Sequence, residues 1–180
     1  MKRTEFLKKK IERYLFKEQL LKSQEYTKLE KPFLAKSRKN FTVANLLFTI
    51  SEKDELKKPL NLAYGFETYE WVIIVSYYSM YASALAALAR LGFKSKSHAA
   101  TIVVLEYYYV RNGKTLESWH IQKLSKAYAI SEELITKLIE TKTKRETAQY
   151  DATPAISREN AKIALEDADE FITKIEEVLG

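Results

Sequence analysis

The chain has no cysteine, which removes disulfides, thiolate nucleophiles and cysteine-ligated zinc or iron–sulfur centres at once. Glycine and proline are scarce, four and three in 180 residues, and no stretch alternates polar and apolar residues like a strand. Helices with few, easily located breaks are therefore expected. The two histidines, His98 and His120, lie far apart in sequence and make no metal-ligand pattern. Neither a GxGxxG nor a P-loop occurs, so the common phosphate-cradling loops are absent. No continuous apolar run follows the basic start MKRTEFLKKK, so no secretory leader is expected and a cytoplasmic location is.

The length suits one domain with one substantial core. From Trp71 to Ala89 no residue is charged, which is about the length that spans a bilayer. Its serines (76, 79 and 83), tyrosines (77, 78 and 81) and alanines make it less apolar than a membrane span. A central buried helix, with no membrane, is the expectation. The net charge of +6 is unevenly placed: residues 1–31 hold ten Lys/Arg against five Asp/Glu, and the rest is nearly balanced. This basic segment can attract a polyanion or an acidic partner, or can simply be a solvated helix face.

Apolar spacing predicts a helix over 3–29, ended by Lys31-Pro32, and a second over 35–50. A polar connection through Pro59 and Gly65 leads to a long helix over 68–91, stopped at Gly92. Ser97 reads as the N-cap of a helix over 99–109, although TIVVLEYYYV favours a strand by propensity and Asn112-Gly113 could be a hairpin turn. A shorter helix over 115–128 is followed by one opened by Ser131 and reaching Arg145. The last helix has Ala161, Ala164, Leu165, Ala168, Phe171, Ile172, Ile175 and Val178 three or four apart, a seam against a bundle core. Tyr107, Tyr108 and Tyr109 read as core before base-stacking surface.

Two segments, SYYSMYASALAALARLGFKSKSHAATIVVLEYYYVRNG and KRETAQYDATPAISRENAKIALEDADEFITKIEEVL, carry a resemblance. Tyr77-Tyr78 before an alanine-rich helix, Lys-Ser-His at the next helix start, an Arg shortly before Tyr-Asp and an alanine-rich acidic final helix stand in one order. In this the chain resembles the prokaryotic HEPN domains over about residues 36–179. The resemblance implies an all-α up-down bundle, here residues 32–180, with an additional basic helical arm at 1–31. It also implies a homodimer and a nucleotide- or RNA-associating module of a toxin–antitoxin or defence system, working with a nucleotidyltransferase. No cofactor or metal is implied.

Family members that cleave RNA without metal carry an Arg and, after four to six intervening residues, a His. Here Arg145 is followed after four residues by Tyr150, and no histidine follows. A phenol with its usual pKa near 10 is a poor substitute for imidazole at neutral pH. Three readings stay open: the binding module, a ribonuclease using Arg145 and His98, and a non-catalytic interaction protein. In an up-down bundle His98 and Arg145 are expected at one end. Lys94, Lys96, Ser97, His98 and Arg145, with Tyr150 and Asp151 beyond, would then suit a phosphate at a helix start. The structural alternatives are that His98 ties a loop down and that Arg145, Tyr150 and Asp151 form a helix corner.

Overall fold

The structure, a computed structural model, describes residues 2–146 and 156–180, with the side chains of 137–146 left aside. Seven α-helices dominate these residues: α1 (Lys2–Phe16), α2 (Glu30–Glu52), α3 (Asp54–Lys57), α4 (Tyr69–Arg90), α5 (His98–Leu105), α6 (Ser118–Glu146) and α7 (Arg158–Leu179). The fold is the all-α bundle the sequence predicts, with the basic N-terminal helix added to it.

Helix α4 is the axis. Its three sides meet α2, α6 and α7, and residues such as Val72, Ala84, Ala87 and Leu88 have no contact with solvent. Among the described residues it is the one helix long and apolar enough to cross a membrane, and 78% of that apolar window is buried inside the bundle. An all-round apolar helix satisfied by protein on its several sides is a core helix. Small residues let α2 lie close along it. Ser37 Oγ donates to the Ser79 carbonyl at 2.9 Å and Ser79 Oγ donates to the Ser37 carbonyl at 2.7 Å. Ala44 packs between them and the far end of the pair, where the Ser51 hydroxyl accepts the Thr68 N–H at 3.0 Å.

The expected helix over 3–29 breaks after Phe16. Glu18 takes a left-handed φ of 53° and turns the chain into a short strand β1 (Leu20–Lys22), followed by a 3-10 turn over Gln24–Leu29. Strand β1 pairs antiparallel with β2 (Phe93–Ser95), in the register Leu21 to Lys94. Gly92 is indeed the stop of α4, with φ +74°, and it must be glycine for a second reason: a Cβ there would meet the Ser23 carbonyl at 3.1 Å. Lys31-Pro32 opens α2 instead of ending a helix, because a proline in the first turn replaces an N–H that has no partner within the helix. Leu7, Ile11 and Leu20 are buried in the same core as α4, so the basic segment is docked along the bundle through an apolar stripe.

Two further differences lie later in the chain. TIVVLEYYYV is helical: α5 widens without a break into a π-helix over Glu106–Asn112, and Gly113 keeps a negative φ, so no hairpin forms. Tertiary burial overrides β propensity there. Tyr109 is buried and its hydroxyl donates to the Ala87 carbonyl at 2.7 Å, while Tyr107 and Tyr108 are half-buried. The two helices expected over 115–128 and from Ser131 are one helix, α6, and Ser131 is a buried residue within it, not a cap.

Candidate functional site

Three segments converge near residue 98. Ser97 caps α5, its side chain accepting the Ala100 N–H at 3.1 Å, as its position before the apolar run predicts. Its hydroxyl is committed to the helix. Lys94 and Lys96 alternate on the outward side of β2 and are exposed, opposite Leu21 and Gln19 of the paired segment. Lys22, also exposed, sits at the edge with Nζ 4.9 Å from the Phe93 ring, and Lys94 Nζ lies 5.8 Å from the Tyr26 ring. None of these three lysines is in an ion pair among the described residues.

The imidazole of His98 turns inward. It stacks on Tyr128 of α6 with ring centroids 3.9 Å apart and lies against Tyr77 and Tyr81 of α4 at 6.0 and 5.7 Å. Its Nδ1 is 3.5 Å from the Tyr77 hydroxyl, a long contact, and its Nε2 is buried with no partner among the described residues. Burial pushes the His98 pKa down to about 4, so the ring is neutral at neutral pH. Burial also raises the Tyr77 phenol, with the neighbouring tyrosines adding to it. This is an aromatic box around an imidazole, with its proton-handling nitrogen shielded from solvent.

Arg145 falls in the last turn of α6 and its side chain lies outside the described residues, as do Tyr150 and Asp151 entirely. Along the continuous α6 it stands seventeen positions beyond Tyr128, about 25 Å at the helical rise of 1.5 Å per residue. His98 is level with Tyr128, so within one chain the structure brings Lys94, Lys96, Ser97 and His98 together but does not bring the Arg145 backbone to them. The cause is the unbroken α6: with no turn at Ser131, its end runs past the corner at residue 98.

His120, which has no obvious partner in the sequence, has one in space. Its Nδ1 accepts the Glu117 N–H at 3.0 Å, its ring stacks on Trp119 at 3.6 Å, and burial lowers its pKa. It closes the start of α6 as a capping group. Among the described residues no three carboxylates or imidazoles gather to hold a metal. Sequence reasoning missed Lys22 and Tyr128, whose roles come from pairings across 70 and 30 positions that no local pattern announces.

A family model described as the HEPN domain covers residues 58–178, from the connection before α4 to the end of α7. No curated protein matches the chain.

Proposed function

The chain belongs to the HEPN domain family, a membership that places it generally among nucleotide- and RNA-related modules, and from it we propose a cytoplasmic RNA- or nucleotide-associating module. In this reading it works beside a nucleotidyltransferase in a toxin–antitoxin or defence system. The observation that carries the reading is the β1–β2 ribbon. It carries Lys94 and Lys96 exposed on its outward face and Lys22, opposite Phe93, exposed at its end, and among the described residues no carboxylate is paired to them. Three exposed ammonium groups on the paired strands suit phosphates, and two of them, on Lys22 and Lys94, lie near the rings of Phe93 and Tyr26.

Binding is favoured over cleavage because His98 Nε2 is buried, the ring is neutral and stacked on Tyr128, and Arg145 is remote from it in the same chain. Arg145, Tyr150 and Asp151 enter this reading only as the family's motif position. A homodimer is part of the proposal. Val43 and Leu46 on α2 and Trp71 and Tyr78 on α4 are exposed large apolar side chains on adjacent helices, and a second copy would cover them.

Fluorescence anisotropy with a labelled single-stranded RNA tests the reading. Three phosphate contacts predict that affinity falls about twentyfold between 50 and 200 mM salt, and that the Lys22→Glu/Lys94→Glu/Lys96→Glu variant loses most of it. RNA that binds the variant as well as the wild type, or that is cut in the presence of chelator and spared by His98→Ala, would overturn it. Sedimentation of the wild type against Trp71→Glu checks the dimer.

A further inference from the structure

Beside the first half of α4, the helices α4, α6 and α7 do not close on one another. They leave a half-enclosed cavity of about 170 Å³. Ile73, Ile130 and Ala164 make its walls apolar, and Tyr77 adds a ring edge. Ser76 also lines it, only 1% exposed, and its hydroxyl has no hydrogen-bond partner among the described residues. A buried serine in a helix ordinarily donates to the carbonyl one turn back, as Ser51 does to Leu47. A hydroxyl left without a partner beside a void is therefore a vacancy for a hydrogen-bonding group.

The mouth has a sign. Asp167 stands at the rim, but its carboxylate is held by Lys123 at 2.7 Å. Lys126, exposed on the same rim, is in no ion pair among the described residues. Among the described residues the opening therefore carries one unpaired positive charge. An apolar cavity of about 150 Å³ is enough to hold a benzene ring, so this one has room for a single six-membered ring with a polar group inside.

We propose that this cavity is a binding site for a small aromatic acid: the ring lies between Ile73, Ile130 and Ala164, a polar ring substituent meets Ser76, and the carboxylate faces Lys126. The site shares no residue with the lysine ribbon and does not depend on the RNA reading. The two are linked by one side chain, since Tyr77 lines the cavity and its hydroxyl lies beside His98 Nδ1. Occupancy is therefore visible at the His98 ring.

Titration of the full chain with 4-hydroxybenzoate, followed by the His98 Cε1–H resonance and by calorimetry, tests this. Saturable binding is expected, roughly fivefold weaker for benzoate, which lacks the group for Ser76, and lost for 4-hydroxybenzylamine, whose charge is opposite. Ala164→Leu fills the cavity and is expected to abolish uptake. Because an overfilled variant can misfold, Lys126→Glu at an exposed position is the second test, and it should reverse the preference between the acid and the amine. Lys94→Glu/Lys96→Glu should leave uptake unchanged. No saturable binding, binding indifferent to both cavity variants, or binding lost with the ribbon lysines overturns the proposal.

Discussion

Two seams run along α4 and are built in opposite ways. Against α2, every buried hydroxyl has a partner: Ser37 and Ser79 exchange hydrogen bonds with each other's backbone, and Ser51 ties down Thr68. Against α6 and its neighbours lie all three buried side-chain atoms that have no partner among the described residues: Ser76 Oγ, His98 Nε2 and Ser131 Oγ. Small residues close the first seam at short axial distance, whereas tyrosines and a histidine prop the second apart and leave a cavity. An interface optimised for stability leaves nothing unsatisfied. The unsatisfied seam is the one that contains the proposed cavity site, and the satisfied one holds the bundle together.

The sharpest way to break this contrast is to overfill the tight seam. Ser79→Leu forces a large side chain where α2 and α4 touch and removes the side-chain donor to the Ser37 backbone carbonyl. A loss of about 3 kcal/mol or more is expected in urea unfolding; a loss under about 1 kcal/mol would mean that the seam is not close-packed.

Acidification probes the loose seam next. The folded-state pKa of His98 lies below its unfolded value, so the unfolded chain binds the proton more tightly. The contribution is fully present above about pH 6.5 and is lost as the pH falls from 6.5 toward about 4. Stability should drop by about 1 kcal/mol by pH 5, and by at most about 2, since solvent screens part of the shift of this incompletely buried ring. His98→Phe keeps the stack on Tyr128 and should remove most of that slope, leaving the smaller share of His120, whose pKa is lowered in the same sense. An unchanged slope between pH 6.5 and 5 in the variant would place the titration elsewhere. Glu30, Glu52 and Glu106 are held below their ordinary range, first by hydrogen bonds to Arg90, Tyr69 and Arg3 respectively, so their loss comes at lower pH.

The smallest effect is a matched pair of deletions. Ser79→Ala removes one satisfied hydrogen bond and should cost about 1 kcal/mol, while Ser76→Ala removes an unsatisfied hydroxyl and should cost nothing or stabilise slightly. Equal urea midpoints for the two variants would erase the distinction between the seams.

Much of the bundle was legible in the sequence. The three-and-four spacing of α7, the uncharged run of α4, the stop at Gly92 and the cap at Ser97 are local signals, and local signals determine where helices lie. The ribbon was not legible. It forms because Leu20 and Phe93 bury together across more than seventy positions, and a break at Glu18 carries no glycine or proline to mark it. Ser131 misled because a serine before two glutamates is a good cap in isolation, and the core that buries it is not local. For the site, the residue types at 94–98 were identifiable, but the direction of the His98 ring depends on Tyr128, a partner supplied by a different helix. The reach of α6 past that corner also follows from continuity at Ser131, which spacing could not decide.

The π-helix over Glu106–Asn112 has a consequence of its own. Each residue in it turns the chain by less than in an α-helix, which lets Glu106 receive Arg3 and Arg111 while Tyr109 still reaches back to Ala87. Removing a single codon there would regularise the coil and rotate everything after it by about 100°. The phenol and the acid could then no longer both face their anchors, so this stretch fixes the rotational phase with which the second half of the protein joins the first.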